Sequence, residues 1–179
     1  SVTSIGDGAF KWTRSLTSII IGEGVESIGE RCFEHSALKS VTLGSNVRKI
    51  GFYAFKDCRL SRTNYTGDIA NWCKINFVVE GNPLTRSGYL YIDDVLVNHL
   101  VIPETVDSIS DYAFEGGHFQ SITIKEGVKY IGGNLYGYIH CDTIIVESKI
   151  PPVLGGGKIF SYPICYIPTG TLETYESSS

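Results

Sequence analysis

LTSIIIGEGVESIGERCFEHSA, residues 16–37, decides the fold, because the 22 residues that follow it, LKSVTLGSNVRKIGFYAFKDCR from Leu38 to Arg59, repeat its pattern. Superposed, Leu16 falls on Leu38, Ile19 on Val41 and Ile21 on Leu43. Further along, Val25 falls on Val47, Ile28 on Ile50, Gly29 on Gly51 and Phe33 on Phe55, every offset being 22 residues. The template returns at Val97, with Leu100, Ile102, Val106, Ile109, Ala113 and Phe114, and at Phe119, with Ile122, Ile124, Val128, Ile131, Gly132 and Tyr136. The chain opens inside another copy, with Ile5, Gly6, Ala9 and Phe10. A fixed period in this range is the mark of a solenoid.

Each unit carries L-x-x-I-x-I, whose last two apolar residues alternate as a strand requires. A turn, a second extended piece V-x-x-I, a glycine and a compact A-F knot follow. One unit cannot bury its own apolar face, but stacked units can, because equivalent strands pair about 4.8 Å apart. The predicted fold class is therefore a β-rich solenoid of 22-residue coils, each with two short strands and a short helical knot, and with one long inserted coil. The coils are 1–15 (partial), 16–37, 38–59, 60–96 with the insertion, 97–118, 119–140, and an irregular end at 141–179, all in one array. Coil 60–96 has strand positions at Leu60, Thr63 and Tyr65, then 15 extra residues. There Asp68 is placed to cap a short helix carrying Ile69, Trp72, Cys73 and Phe77 toward the core. Gly81-Asn82-Pro83 breaks the chain, and Asp93-Asp94 reads as a tight hairpin turn between residues 89–92 and 95–97.

Two turn positions recur. Gly24, Asn46, Thr105 and Gly127 precede the V-x-x-I piece, and the Gly and Asn there predict a left-handed residue. The glycine after that piece, at Gly6, Gly29, Gly51 and Gly132 but Ser110 in one coil, predicts close backbone packing rather than positive φ.

The chain has 179 residues, 42% of them hydrophobic, with 20 Gly and no Met, which suits one elongated domain. The net charge of −4 is modest and spread out, which speaks against a nucleic-acid partner. No apolar run approaches the roughly 18 residues of a membrane span, so no membrane insertion is expected of this segment. Ser1 falls within a repeat and the chain stops at Ser177-Ser178-Ser179, so a piece of a longer protein is expected.

The pattern L-x-S-I-x-I-G/P-x-x-V-x-x-I-G-x-x-A-F resembles the BspA-like leucine-rich repeats of bacterial and protozoan surface proteins. The resemblance extends to Trp72-Cys73-Lys74-Ile75, to Asn82-Pro83-Leu84, to Tyr89-Leu90-Tyr91-Ile92 and to the closing Tyr166-Ile167-Pro168 segment. It implies a leucine-rich-repeat solenoid, a secreted or surface-attached location, and adhesion to proteins of a host or a neighbouring cell.

Cys32, Cys58, Cys73, Cys141 and Cys165 form no C-x-x-C pair, which argues against zinc. An odd number in unlike slots argues against a disulfide framework, and all five read as small buried hydrophobes. His35, His99, His118 and His140 read as exposed residues at non-equivalent places, with His99 the only one on a strand at a solvent-facing position. Gly157-Lys158 fails as a phosphate loop, since Pro152 and Ile159 break the motif. Asn64-Tyr65-Thr66 matches a glycosylation sequon. Asp93 and Asp94 read as solvated. No cofactor, no metal site and no nucleophile with its base can be assembled.

The informative surface is the strand face, on the concave side if the array curves as leucine-rich repeats do. Its two inner columns are Ile20, Thr42, Val101, Thr123 and Ile145, and Ser18, Ser40, His99, Ser121 and Thr143. These small, β-branched, nearly uncharged residues suit any exposed sheet position, and they also form a strip of the kind that marks contacts. A third column holds Thr17, Lys39, Asn98, Gln120 and Asp142. The opposite flank carries charge, with Glu23, Glu26, Glu30, Arg31 and Glu34, then Arg48, Lys49 and Lys56, then Glu104, Asp107, Asp111 and Glu115, and reads as a solvated edge. The function expected is a non-catalytic extracellular module that binds a protein or glycan through the strand face or the insertion at 66–96. The alternative is a spacer presenting another domain.

Overall fold

The computed structural model describes residues 2–133, 139–155 and 164–177, and within them the 22-residue coils stack as expected. Parallel strands Ser18–Ile21, Ser40–Leu43, Arg62–Tyr65 and Leu90–Ile92 form one front sheet, closed by Val95–Leu96 running antiparallel. A second front sheet holds His99–Ile102, His118–Ile124, His140–Val146 and Ile164–Tyr166. The V-x-x-I pieces form the back ladders, Ser4–Ile5 through Asn76–Phe77 and then Ser108–Ile109 through Val153–Leu154. Register follows the period, with Ile19 opposite Val41, Ile21 opposite Leu43 and Ile28 opposite Ile50. The inward residues of both ladders meet in one continuous core.

In the first two coils the third side differs from the expected helical turn. In the first knot the N–H groups of Ala9, Lys11 and Thr13 bond three residues back, to Gly6, Gly8 and Phe10. Those of Gly8, Phe10 and Trp12 instead donate to the carbonyls of Glu30, Cys32 and Glu34 in the next coil, at 2.8–3.0 Å. The second knot does the same, with Arg31, Phe33 and His35 donating to Phe52, Ala54 and Lys56. A helix would spend every N–H inside the coil; here alternate ones cross to the neighbour, so the knot becomes a third ladder. The geometry requires left-handed residues four apart in each knot: Gly8 and Trp12, Arg31 and His35, Tyr53 and Asp57, Tyr112 and Gly116, all with φ between 51° and 78°.

The rings of Phe10, Phe33 and Phe55 stack inside these knots, 5.3 and 5.2 Å apart and within 8° and 13° of parallel. Such pairs contribute about 0.5–1.5 kcal/mol each beyond burial. Phe114 is buried but lies edge-on to Phe119. The insertion separates it from Phe55. Asp68 accepts from Asn71 N–H and starts the short helix Ile69–Trp72, which buries Trp72, Cys73 and, beyond it, Phe77. Trp72 Nε1 donates to Ala113 O at 2.7 Å, and Asn82 Nδ2 donates to Tyr112 O and Ala113 O at 2.7 and 2.9 Å. These two side chains join the insertion to the next knot. A second helix, Leu84–Ser87, which the sequence reading lacked, follows Pro83 and ends at Gly88 with φ 71°. The hairpin is present, and Asp93 and Asp94 both take positive φ in its turn.

The two glycine expectations part ways. None of Gly24, Asn46, Thr105 and Gly127 has positive φ, which corrects the left-handed reading. Crowding explains Gly127, because a Cβ there would collide with the carbonyl of Glu104 in the coil before. Gly29, Gly51 and Gly132 are close-packed, as expected: a Cβ would lie 2.5–2.7 Å from atoms of Asp7, Glu30 and Asp111 respectively. Gly6, in the first coil, departs from the expectation, with nothing within 4 Å of a Cβ placed there. Ser110 follows Ser108–Ile109, which begins a new back ladder, and its N–H donates to Cys73 O at 2.9 Å. The helical-knot slot of Tyr136 lies outside the described residues.

In equilibrium urea unfolding, Gly51→Ala should lose about 1–3 kcal/mol through overpacking, whereas Gly6→Ala, whose Cβ meets nothing within 4 Å, should be nearly neutral. At the left-handed Arg31 the usual order inverts, and Arg31→Gly should exceed Arg31→Ala in stability by about 1 kcal/mol.

Candidate functional site

The sequence-read columns form on the strand face, but in two blocks. Ser18 and Ser40 are in register with each other, as are Ile20 and Thr42. His99, Ser121 and Thr143 form one row of the second sheet, and Val101, Thr123 and Ile145 the next. His99 Nδ1 pairs with Ser121 Oγ at 2.8 Å. Ile20 is 80% exposed and Val101 44%, although the backbone beneath each is held in a parallel ladder. Between the blocks the insertion coil supplies residues the column reading omitted. Arg62 follows Ser40 in one row, and Asn64 and Tyr91 follow Thr42 in the other. The Arg62 guanidinium lies 3.9 Å from the Tyr91 ring centroid and 2.7 Å from Asp94 Oδ1. The strip is therefore interrupted by a cation and an aromatic ring. Arg62 keeps the 22-residue spacing from Ser40 and was legible; Tyr91 lies beyond the point where the insertion breaks the period.

A groove of about 420 Å³ opens beside the second block, at the start of its strands. Tyr89, His118 and His140 form a run of rings across it, with centroids 5.3 and 4.4 Å apart and steeply inclined planes. Gly88 makes room for the central ring: a Cβ there would stand 3.1 Å from His118 Cδ2. The Gly88 carbonyl accepts from His118 N–H at 2.7 Å, tying the insertion to the second sheet. Asn98, Gln120 and Asp142 also line the groove, over Phe119 and Cys141. His118 and His140 sit directly opposite each other in register, which corrects the reading of four non-equivalent histidines. They are exactly one period apart, and with His99 they make three strand histidines rather than one. Burial first, then the neighbouring His140, holds His118 below the ordinary imidazole range.

Residues 1–78 and 88–153 match the BspA type leucine rich repeat region, in six copies. The chain belongs to this family. A leucine-rich repeat protein from Eubacterium ventriosum, known from its crystal structure, resembles the array at 19% identity and TM-score 0.41 over 85% of this chain. The array spans about half of that protein, 53%. A leucine rich cell surface protein from Faecalibacterium prausnitzii is similar at 13% identity and TM-score 0.26, over 99% of this chain and 86% of the other. Comparison with curated proteins gave no match.

Within this BspA-type array the remaining candidates are structural. Cys32, Cys58 and Cys73 are buried, and burial pushes the thiols of Cys32 and Cys73 up to about 12. Cys141 is half-buried, and Cys165, in register with the inward Ile144, is exposed rather than buried as expected. Asn64 is buried and its Oδ1 accepts from Asp94 N–H, so the folded chain does not present the sequon. The Gly157-Lys158 stretch lies outside the described residues. On the charged flank, Glu34 is buried instead of solvated, and its carboxylate meets Lys11 Nζ at 2.7 Å. That bond, ahead of the charges of Lys11 and Arg31, holds Glu34 below the usual carboxylate range. Glu115 is buried as well. His35 stacks on Trp12 at 4.0 Å, with Glu34 and Asp57 near opposite ring nitrogens at 3.9 and 3.5 Å. Those three residues are the one group of metal-ligand type among the described residues, but the carboxylates address different nitrogens, and Lys11 holds Glu34.

Because the native state disfavours the His118 proton, His118 adds stability above the unfolded imidazole pKa of about 6.5 that fades as pH falls through it. The urea midpoint should therefore drop between pH 7 and 5.5, and His118→Asn should flatten that drop. Glu34 acts in a lower window, its contribution being lost as pH falls below the ordinary carboxylate value of 4.5, and Glu34→Gln should remove that lower step.

Proposed function

We propose that this array is a non-catalytic recognition module displayed outside the cell, with its strand face as the contact surface for a protein or glycan of a host or neighbouring cell. The observation that carries this reading is the exposure of Ile20 and Val101 on strands fixed in register. An isoleucine held four-fifths exposed on a rigid strand does nothing for the core, and exposed apolar strips of this kind mark contact sites. Ser18, Ser40, Thr42, His99, Ser121, Thr123, Thr143 and Ile145 complete the surface, in two blocks separated by Arg62 and Tyr91. A preorganised sheet loses little conformational entropy on binding, which favours affinity.

The thiol chemistry supports a non-catalytic role, since a thiol held near 12 is protonated at neutral pH and is a poor nucleophile. The extracellular placement follows the resemblance to repeats of surface proteins. Among the described residues no helix is long and apolar enough to cross a membrane.

The test is the triple variant Ile20→Asp, Val101→Asp, Ile145→Asp, checked by circular dichroism for an intact fold. Retention on immobilised host matrix proteins and on cells should fall at least about fivefold, the loss of roughly 1 kcal/mol that separates contact residues from bystanders. Unchanged retention with an intact fold assigns the strip to a spacer, or moves the contact to another face.

A further inference from the structure

The groove beside the second front sheet has a lining that selects a ligand chemistry. One wall is aromatic: Tyr89, 44% exposed, then His118 and His140, in ring contact across successive strands. The other lining groups, Asn98, Gln120 and Asp142, are exposed planar polar groups offering amide donors, carbonyl acceptors and a carboxylate. The volume of about 420 Å³ lies within the range of small-ligand sites.

Each alternative ligand class meets a lining group that opposes it. Among the described residues neither Lys nor Arg lines the groove, and Asp142 does, which disfavours a phosphate or sulfate. Burial, then the neighbouring His140, holds His118 below the ordinary imidazole range, which disfavours a positive charge there. A wholly apolar ligand would strip water from two amides and a carboxylate without replacing their hydrogen bonds, a loss for each group. A molecule with an apolar face and a rim of hydroxyls satisfies both walls. Its C–H face covers the rings, and its hydroxyls donate to Asp142 and exchange hydrogen bonds with Asn98 and Gln120.

We propose that this groove is a saccharide subsite, in which a neutral pyranose lies against Tyr89 and His118 with its hydroxyls paired to Asn98, Gln120 and Asp142. The assignment goes beyond the recognition reading above and uses none of the strip residues, so either can fail while the other stands. Gly88 is part of the site, because any side chain there would press on the His118 ring. The insertion has a function in this assignment, since it delivers both Gly88 and Tyr89 to the edge of a sheet to which they do not belong.

The experiment follows the imidazole signals of the histidine-labelled chain by NMR at pH 7.5. Glucose, galactose, mannose, N-acetylglucosamine and N-acetylgalactosamine are each added to about 50 mM, some tens of times the millimolar dissociation constant expected of a single sugar on an open site. At least one of them should move the His118 and His140 signals saturably while leaving His35 in place. Gln120→Ala and Asp142→Asn, whose side chains are exposed, should each weaken that response at least about tenfold, and Tyr89→Ala should do the same. The unmoved His35 signal reports that each variant is folded. The proposal is overturned if none of the five sugars moves either histidine saturably, or if the response survives unchanged in Gln120→Ala and Asp142→Asn.

Discussion

The first two knots leave half of their N–H groups for the coil beyond. Residues such as Phe10, Phe33 and their flanking neighbours donate across the gap, while the residues between them bond three back within their own turn. A polar backbone buried on one side of a solenoid must be satisfied somewhere, and this division satisfies it on all three sides of the coil. There the front strands, the back strands and the knots are each ladders, so these coils are completed by their neighbours. The left-handed residues at Arg31, His35, Tyr53 and Asp57 are the conformational cost of that arrangement, and the cross-coil bonds and stacked phenylalanines offset it.

Among the described residues the insertion is where the ladders are interrupted, and the most distinctive surface chemistry gathers there. Front and back sheets both end in it and begin again after it. Trp72 and Asn82 bridge the interruption by donating to the same carbonyl, that of Ala113. Where the period breaks, side chains that do not belong to the repeat reach the strand face. Arg62 and Tyr91 cut across the strip, and Tyr89 extends the histidine row of the second sheet. A regular array gives every coil the same slots.

Much of this was readable from spacing. Leu38, Val41, Leu43, Val47, Ile50 and Phe55 lie in the core because a 22-residue period puts like residues above like. The hairpin at Asp93-Asp94 and the Asp68 cap announced themselves by turn and cap chemistry. The pairing of His118 with His140 was equally available, since they differ by one period, yet histidine type alone did not suggest a row. The left-handed knot residues carried no signal, because Arg, His, Tyr and Asp are not the residue types that mark positive φ. At Gly127, glycine suggested a backbone angle where the actual constraint was the space left by the coil before.

The amino-acid sequence by itself determined the repeat, the inward faces and the place where the pattern fails, because stacking energy depends on which residue recurs at which spacing. The tertiary structure alone decided that Leu90 pairs with Thr63, that Gly88 bonds to His118, and hence that Tyr89 stands beside two histidines from later coils. The physical reason is that a 15-residue insertion erases the period as a measure of distance: past it, neighbours are chosen by which strand edges still have open hydrogen bonds, a property of the folded chain and not of any interval along it.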